Sequence, residues 1–281
     1  MLPITEGVIL RHFQYMTIRD LSPETIKSRR SALRRLSRWL DGPVLYVTAD
    51  QLVEWQVERS RDVCPATRRT ELSNVRAFYS WVRDEGFRDD DPSARLPMPR
   101  APRGLPRPIP DPDLSTALDA ADATMGVILG LAGFAGLRAC EVARLAWSSV
   151  SLGQERPMLR VERGKGNHAR DVDVSSALAA LLVALPHRVG PVIPRGDGGR
   201  GHNTANAITK RASTHFRDLG MPYTLHQLRH RLATVMYRAC LDIQATADTL
   251  GHLSTTTTSI YASASRVVTA DGVEAAGTLA A

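Results

Sequence analysis

The stretch PMPRAPRGLPRPIPDP, from Pro97 to Pro112, constrains this chain most. It holds seven prolines and a glycine, so it can form neither a continuous helix nor a central strand. It reads as an extended, stiff linker carrying arginines. Two domains are expected on either side, 1–96 and 113–281, joined by a linker at 97–112. The 281 residues suffice for two ordinary domains, and a 43% hydrophobic fraction suffices for their cores.

Before the linker the pattern is helical. Ser22, Pro23 and Glu24 give a cap, a first-turn proline and a first-turn acid. The run that follows puts Ile26, Leu33, Leu36, Trp39 and Leu40 on one stripe. Arg29, Arg30, Arg34, Arg35 and Arg38 occupy much of the remaining surface. Further helices are expected in TADQLVEWQVERS and in PATRRTELSNVRAFYSWVRDEGF, the latter with Leu72, Val75, Phe78, Tyr79 and Val82 inward. The result is a four-helix domain with arginine-rich faces. These either solvate the helices or grip phosphates.

After the linker two apolar helices, a break at Gly136 and a short helix are expected. Two alternating segments then flank RGKGN (163–167), the tip of a β-hairpin. Helices follow in SSALAALLVAL, in the second half of GRGHNTANAITKRASTHFRDLG, in TLHQLRHRLATVM and in IQATADTLGH.

The formal net charge is +7, which favours a polyanionic partner, nucleic acid first. Nearly all of the positive charge is arginine, since Lys27, Lys165 and Lys210 are the only lysines. Cys64, Cys140 and Cys240 are odd in number and lack C-x-x-C pairing, and they are expected to be buried, reduced thiols of a cytoplasmic protein, whose high arginine and alanine use suits a GC-rich bacterial host. Neither a signal peptide nor a membrane span is read in the chain.

In TLHQLRHRLATVM, His226, Arg229 and His230 share one helical face. A metal site, an anion cradle and a wet face all deserve weighing. H-x-x-x-H can hold zinc, but Gln227 stands where a zinc protease needs glutamate, and nothing nearby completes a ligand shell. A guanidinium between imidazoles suits an oxyanion better. Arg138 follows the Gly136 break at a helix start, where free N–H groups favour anions. Glu141 can orient it, or form an ordinary surface ion pair with it. His252 follows a helix-ending Leu250-Gly251, and Tyr261 comes nine residues later. No P-loop is present, because GKG lacks both the following Ser/Thr and the earlier glycine.

Together GLRACE (136–141), RGKGN (163–167), HQLRH (226–230), LGH (250–252) and Tyr261 resemble the tyrosine recombinase, or phage integrase, family. The first half resembles that family's core-binding domain in pattern. The resemblance implies a mainly α fold with a small β-hairpin or sheet, in which a helical core-binding domain and a mixed α/β catalytic domain of the DNA breaking-rejoining type form a two-domain C-clamp.

By the same resemblance Arg138 and Arg229 clamp the scissile phosphate, Tyr261 is the nucleophile and Lys165 the general acid. His226 is the proton-transfer partner, His252 donates to a phosphate oxygen and Glu141 supports Arg138. No role passes to His230. Arg231 departs from the small residue usual beside this box, and could meet DNA or another helix. Arg29, Arg30, Arg34, Arg68, Arg69, Lys210 and Arg211 are candidate DNA contacts.

The implied partner is double-stranded DNA, bound by a homotetramer in the synapse, with no metal and no cofactor. Integration or excision of a phage or other mobile element is the expected role. Xer-like dimer resolution and a type IB topoisomerase are the alternatives, and a non-catalytic DNA-binding regulator fits the complete residue set less well. The chain starts almost directly with the core-binding helices, so a compact recombinase without an arm-binding domain is expected. The tail after Tyr261 is expected, by analogy, to dock on a neighbouring subunit.

Overall fold

The computed structural model describes residues 3–101, 106–162 and 169–251. Lys165, His252, Tyr261, the middle of the proline-rich stretch and the C-terminal tail lie outside them. The chain divides into two compact units, Met1–Arg103 and Gly104–Ala281.

The first unit comprises α1 (Pro3–Ile18), α2 (Pro23–Leu40), a short 3₁₀ turn (Val44–Tyr46), α3 (Ala49–Asp62) and α4 (Pro65–Asp84). Local chemistry sets these boundaries. The Ser22 hydroxyl accepts from the Thr25 N–H at the start of α2, with Pro23 in the first turn. Thr48 and Gln51 form a reciprocal capping box at α3. The stripes of α2, α3 and α4 close on Leu36, Leu52, Trp55, Leu72, Val75, Phe78 and Val82, all fully buried. One charge enters this interior: Glu71 of α4 accepts two hydrogen bonds from Arg59 of α3 and pairs with Arg35 of α2. A buried carboxylate is stable only with such partners, and here it ties three helices together.

The second unit runs α5 (Asp111–Asp119), α6 (Ala123–Gly133), α7 (Ala139–Arg144), a 3₁₀ turn (Trp147–Ser149), β1 (Val150–Ser151), β2 (Met158–Val161), β3 (Arg170–Asp173), α8 (Ser176–Val183), α9 (Ala205–Asp218), α10 (Leu225–Cys240) and α11 (Ile243–Leu250). α6 is buried from Met125 to Gly133, as a helix apolar on every side must be. It packs against α8, α9 and α10. The strands form an antiparallel sheet in the order β1-β2-β3, with Leu159 opposite Val172 and Val161 opposite Arg170. β1 was not expected, because two residues carry no periodicity.

The proline-rich stretch packs on the adjoining unit at each described end. Leu96 is buried and Met98 packs on the first core, while Arg76 donates to the Ser93 and Leu96 carbonyls. Ile109 is buried in the second core and its N–H donates to the Gln227 carbonyl. α5 begins within the stretch, since proline is tolerated in a first helical turn. The cysteines are free but not buried: Cys64 and Cys240 are exposed and Cys140 is half-buried. Cys64 stands at the N-cap position of α4 and Cys240 ends α10, and helix ends face solvent. Among the described residues no helix is long and apolar enough to cross a membrane.

Candidate active site

The site is assembled where α7, α10, β3 and the end of α11 meet. α10 opens with the Gln227 side chain accepting from the Thr224 N–H. Gln227, unable to act as a base, therefore has a capping role, and it sets the first turn that carries His226. Leu228 is fully buried in the second core and anchors the helix. Arg229, one residue on, is buried as well. Its Nη1 donates to the Gly136 carbonyl and its Nη2 to the Leu250 carbonyl. Gly136 has φ +66°, and a Cβ there would lie 2.8 Å from Leu232 and 2.9 Å from Leu250. The positive φ favours glycine at the break, and a side chain there would displace the Leu232 and Leu250 methyls.

Arg138 is the N-cap residue of α7. Its Nη1 donates to Glu141 Oε1 at 3.0 Å and its Nη2 to the Gly251 carbonyl at 3.0 Å. Glu141 Oε2 accepts the Arg138 backbone N–H at 2.8 Å. At this helix start the helix's own carboxylate takes the Arg138 N–H. The surface-pair alternative fails, since the Glu141 side chain is wholly buried.

Arg170 of β3 completes the cluster, and sequence reasoning missed it. Its Nη1 and Nη2 donate to the two Glu141 oxygens at 3.0 and 2.9 Å, and its Nε to the Thr249 carbonyl at 3.0 Å. The signal was available: in the alternating strand Arg170 shares the inward face with buried Val172, between outward Asp171 and Asp173. Three guanidiniums therefore hold three successive carbonyls, those of Thr249, Leu250 and Gly251. These are unpaired acceptors at the negative end of α11, where cations are stabilised. The chain reaches His252 directly from this clasp.

His226 and His230 lie edge-to-face, ring centroids 4.2 Å apart. Burial and then the charges of Arg229 and Arg138 lower the His226 pKa. Burial, His226 and Arg229 bring His230 down to about 4. Both imidazoles are therefore neutral near pH 7, and a neutral His226 can accept a proton. Among the described residues no three His, Cys, Asp or Glu side chains cluster as metal ligands.

The candidate DNA contacts divide. Arg29 turns inward: half-buried, it lies 3.1 Å from His12 Nε2 and 3.5 Å from Asn74 Oδ1. That placement makes it a structural residue. Arg30, Arg34, Arg69 and Lys210 are exposed, whereas Arg68 and Arg211 are half-buried. Arg231 meets another helix, pairing with Asp111 of α5 at 2.5 Å.

Burial opposes ionisation of Glu141, but hydrogen bonding and charge from Arg170 and then Arg138 outweigh it and hold the carboxyl below its usual range. A depressed carboxyl stabilises the fold above its unfolded pKa and loses that contribution as pH falls through the folded value. Glu141→Ala should cost about 3–5 kcal/mol by stranding two guanidiniums, as equilibrium unfolding at pH 7 would measure. The deficit relative to the parent should shrink on acidification below about pH 4. A pH-independent deficit would remove the charge argument.

The phage integrase family model matches residues 112–266, more than half of the chain, and the phage integrase N-terminal SAM-like domain model matches residues 10–86. The chain is 30% identical to tyrosine recombinase XerC of Xylella fastidiosa, over 86% of this chain and 87% of that protein. It is 34% identical to tyrosine recombinase XerC of Rhodospirillum centenum over 74% of this chain and 65%, just under two thirds, of that one. With tyrosine recombinase XerD of Xanthomonas axonopodis it shares 29% identity over 93% and 94% of the two chains. The fold is that of lambda integrase(75–356), solved as a dimer bound to a COC′ core site, with TM-score 0.74, 17% identity and coverage of 91% and 94%.

Proposed function

The chain belongs to the phage integrase family of tyrosine recombinases, and on that premise we propose that it cuts and rejoins duplex DNA at a specific site through a 3′-phosphotyrosine intermediate. One observation carries the reading: Arg138 and Arg229 converge on neighbouring carbonyls, Gly251 and Leu250, at the residue before His252. Those carbonyls hold N–H donors that a phosphate can engage in their place. Two arginines address the growing negative charge of a five-coordinate phosphorus without needing a metal.

In this mechanism the Tyr261 phenol oxygen attacks phosphorus while its proton passes to neutral His226. The bond from phosphorus to the 5′ oxygen breaks, and Lys165 protonates that leaving oxygen, which arginine cannot readily do. Arg138, Arg229 and His252 hold the phosphate oxygens, and Glu141 holds Arg138. The ester energy is retained in the phosphotyrosine, so a new 5′ hydroxyl reseals the strand with no nucleotide consumed. Exchange between two duplexes needs four such sites, hence a tetramer on DNA. Exposed Arg30, Arg34, Arg69 and Lys210 are DNA contacts in this reading, and binding weakens steeply with salt.

We place the activity in the resolution of duplicated sites on circular DNA, in line with the XerC and XerD likeness. Beside the expectation of phage or mobile-element integration stands the fold of lambda integrase. A duplex nicked near the cleavage position tests the chemistry, since the released fragment traps the adduct. A protein–DNA band stable to denaturant is expected, and its absence on every candidate site would sink the reading. A plasmid carrying two directly repeated sites tests the role: excision of the intervening segment is expected, whereas exchange restricted to two dissimilar sites would favour integration.

A further inference from the structure

We propose that Arg170 is a positioning residue for the strand-transfer reaction, aiming Arg138 through Glu141 and fixing, through the Thr249 carbonyl, the approach of the chain to His252. This rests on the reading that Arg138 binds the scissile phosphate.

An arginine on the inward face of a strand is costly unless its donors are satisfied. Arg170 is 10% exposed and spends three donors on two distant elements, two on Glu141 of α7 and one on the end of α11. Its fork on Glu141 is bidentate, which sets the plane of the carboxylate as well as its position. Glu141 thereby has each oxygen doubly engaged: Oε1 by Arg138 Nη1 and Arg170 Nη1, Oε2 by the Arg138 backbone and Arg170 Nη2.

The division of that carboxylate decides what Arg138 can do. Because Arg170 occupies the forked geometry, Arg138 donates one side-chain bond to Glu141, and its other Nη donates to the Gly251 carbonyl. Without Arg170 the carboxylate is free to turn and take Arg138 in a fork of its own, withdrawing both Nη groups from a phosphate. One carboxylate between two guanidiniums also leaves a net positive charge in the cluster.

The same guanidinium shapes the turn before His252. Gly251 has φ +60°, and a Cβ there would sit 2.7 Å from Arg170 Nη1. The backbone thus runs against Arg170 where only glycine fits. β3 is the strand that follows residues 163–168, so one side chain joins the strand after Lys165, the support of Arg138 and the entry to His252.

The test uses the full chain. Arg170→Lys keeps the charge but cannot reproduce the fork and the third contact. It should bind the site with parental affinity and unfold cooperatively, yet form the trapped adduct about 10²-fold more slowly in single turnover, the scale of a small misplacement of reacting groups. Combined with Arg138→Ala it should be no slower than Arg138→Ala alone. Cleavage within about threefold of the parent, or losses that multiply in the double variant, overturns the proposal. If Arg170→Lys does not fold, Arg170→Gln is read the same way. In DNA-free protein the arginine side-chain ¹⁵N–¹H resonances of Arg138 should shift in the variant, and unchanged resonances also overturn it. That readout needs no cleavage, so a parent chain that forms no adduct counts against recombination while the resonances still judge Arg170.

Discussion

Tyr261→Phe should bind its DNA site as tightly as the parent and form no covalent adduct at all. In the proposed reaction the substitution removes a single oxygen, the atom that attacks phosphorus, and leaves the guanidiniums assigned to the phosphate. An unperturbed phenol, with pKa near ~10, is a weak nucleophile at neutral pH, so the reaction depends on cationic neighbours and a base rather than on any tyrosine in reach. Two other phenols are poor substitutes. Tyr223 donates to Asp113 at 2.5 Å, and that bond followed by burial raises its pKa. Tyr79 is buried in the first unit, donates to the Val44 carbonyl, and is pushed up by desolvation. A nicked duplex incubated with parent and variant, resolved under denaturing conditions, measures the outcome. An adduct at parental yield in the variant would transfer the nucleophile to another residue.

Arg229→Lys should lower single-turnover cleavage about 10²–10³-fold, or about 2.7–4 kcal/mol of transition-state stabilisation. Arg229 is buried and spans two carbonyls, Gly136 and Leu250, from two segments far apart in the chain. Lysine offers a point charge where a planar fork is needed. Site affinity should change much less, because most phosphate contacts of a DNA-binding protein lie elsewhere along the duplex. Rate and affinity measured on the same preparation separate these effects. A variant that cleaves within tenfold of the parent would remove Arg229 from the chemistry.

Much of the architecture was legible before any coordinates. Ser22 with Pro23 announced α2, and the apolar stripe of α4 named the residues that prove fully buried. Gly136 announced the break before α7, and its positive φ is the reason. The motifs GLRACE, HQLRH and LGH were legible by residue type and spacing, and the family they resemble is the one whose model matches. Arg29 was misleading, because it lies on an arginine-rich helix yet points at His12. Arg231 was open, and its partner Asp111 lies 120 residues away.

What this sequence determined alone is what depends on neighbours within about four residues: caps, periodicities, breaks, and which side chains are able to hold a phosphate. Only the tertiary structure decided how one buried carboxylate is shared between two arginines, and which guanidinium holds which carbonyl of the α11 end. Those contacts join positions 29, 79 and 113 residues apart. The partner of a guanidinium that reaches across the fold is set by packing, whereas only the i, i+3 pair of Arg138 and Glu141 was readable locally.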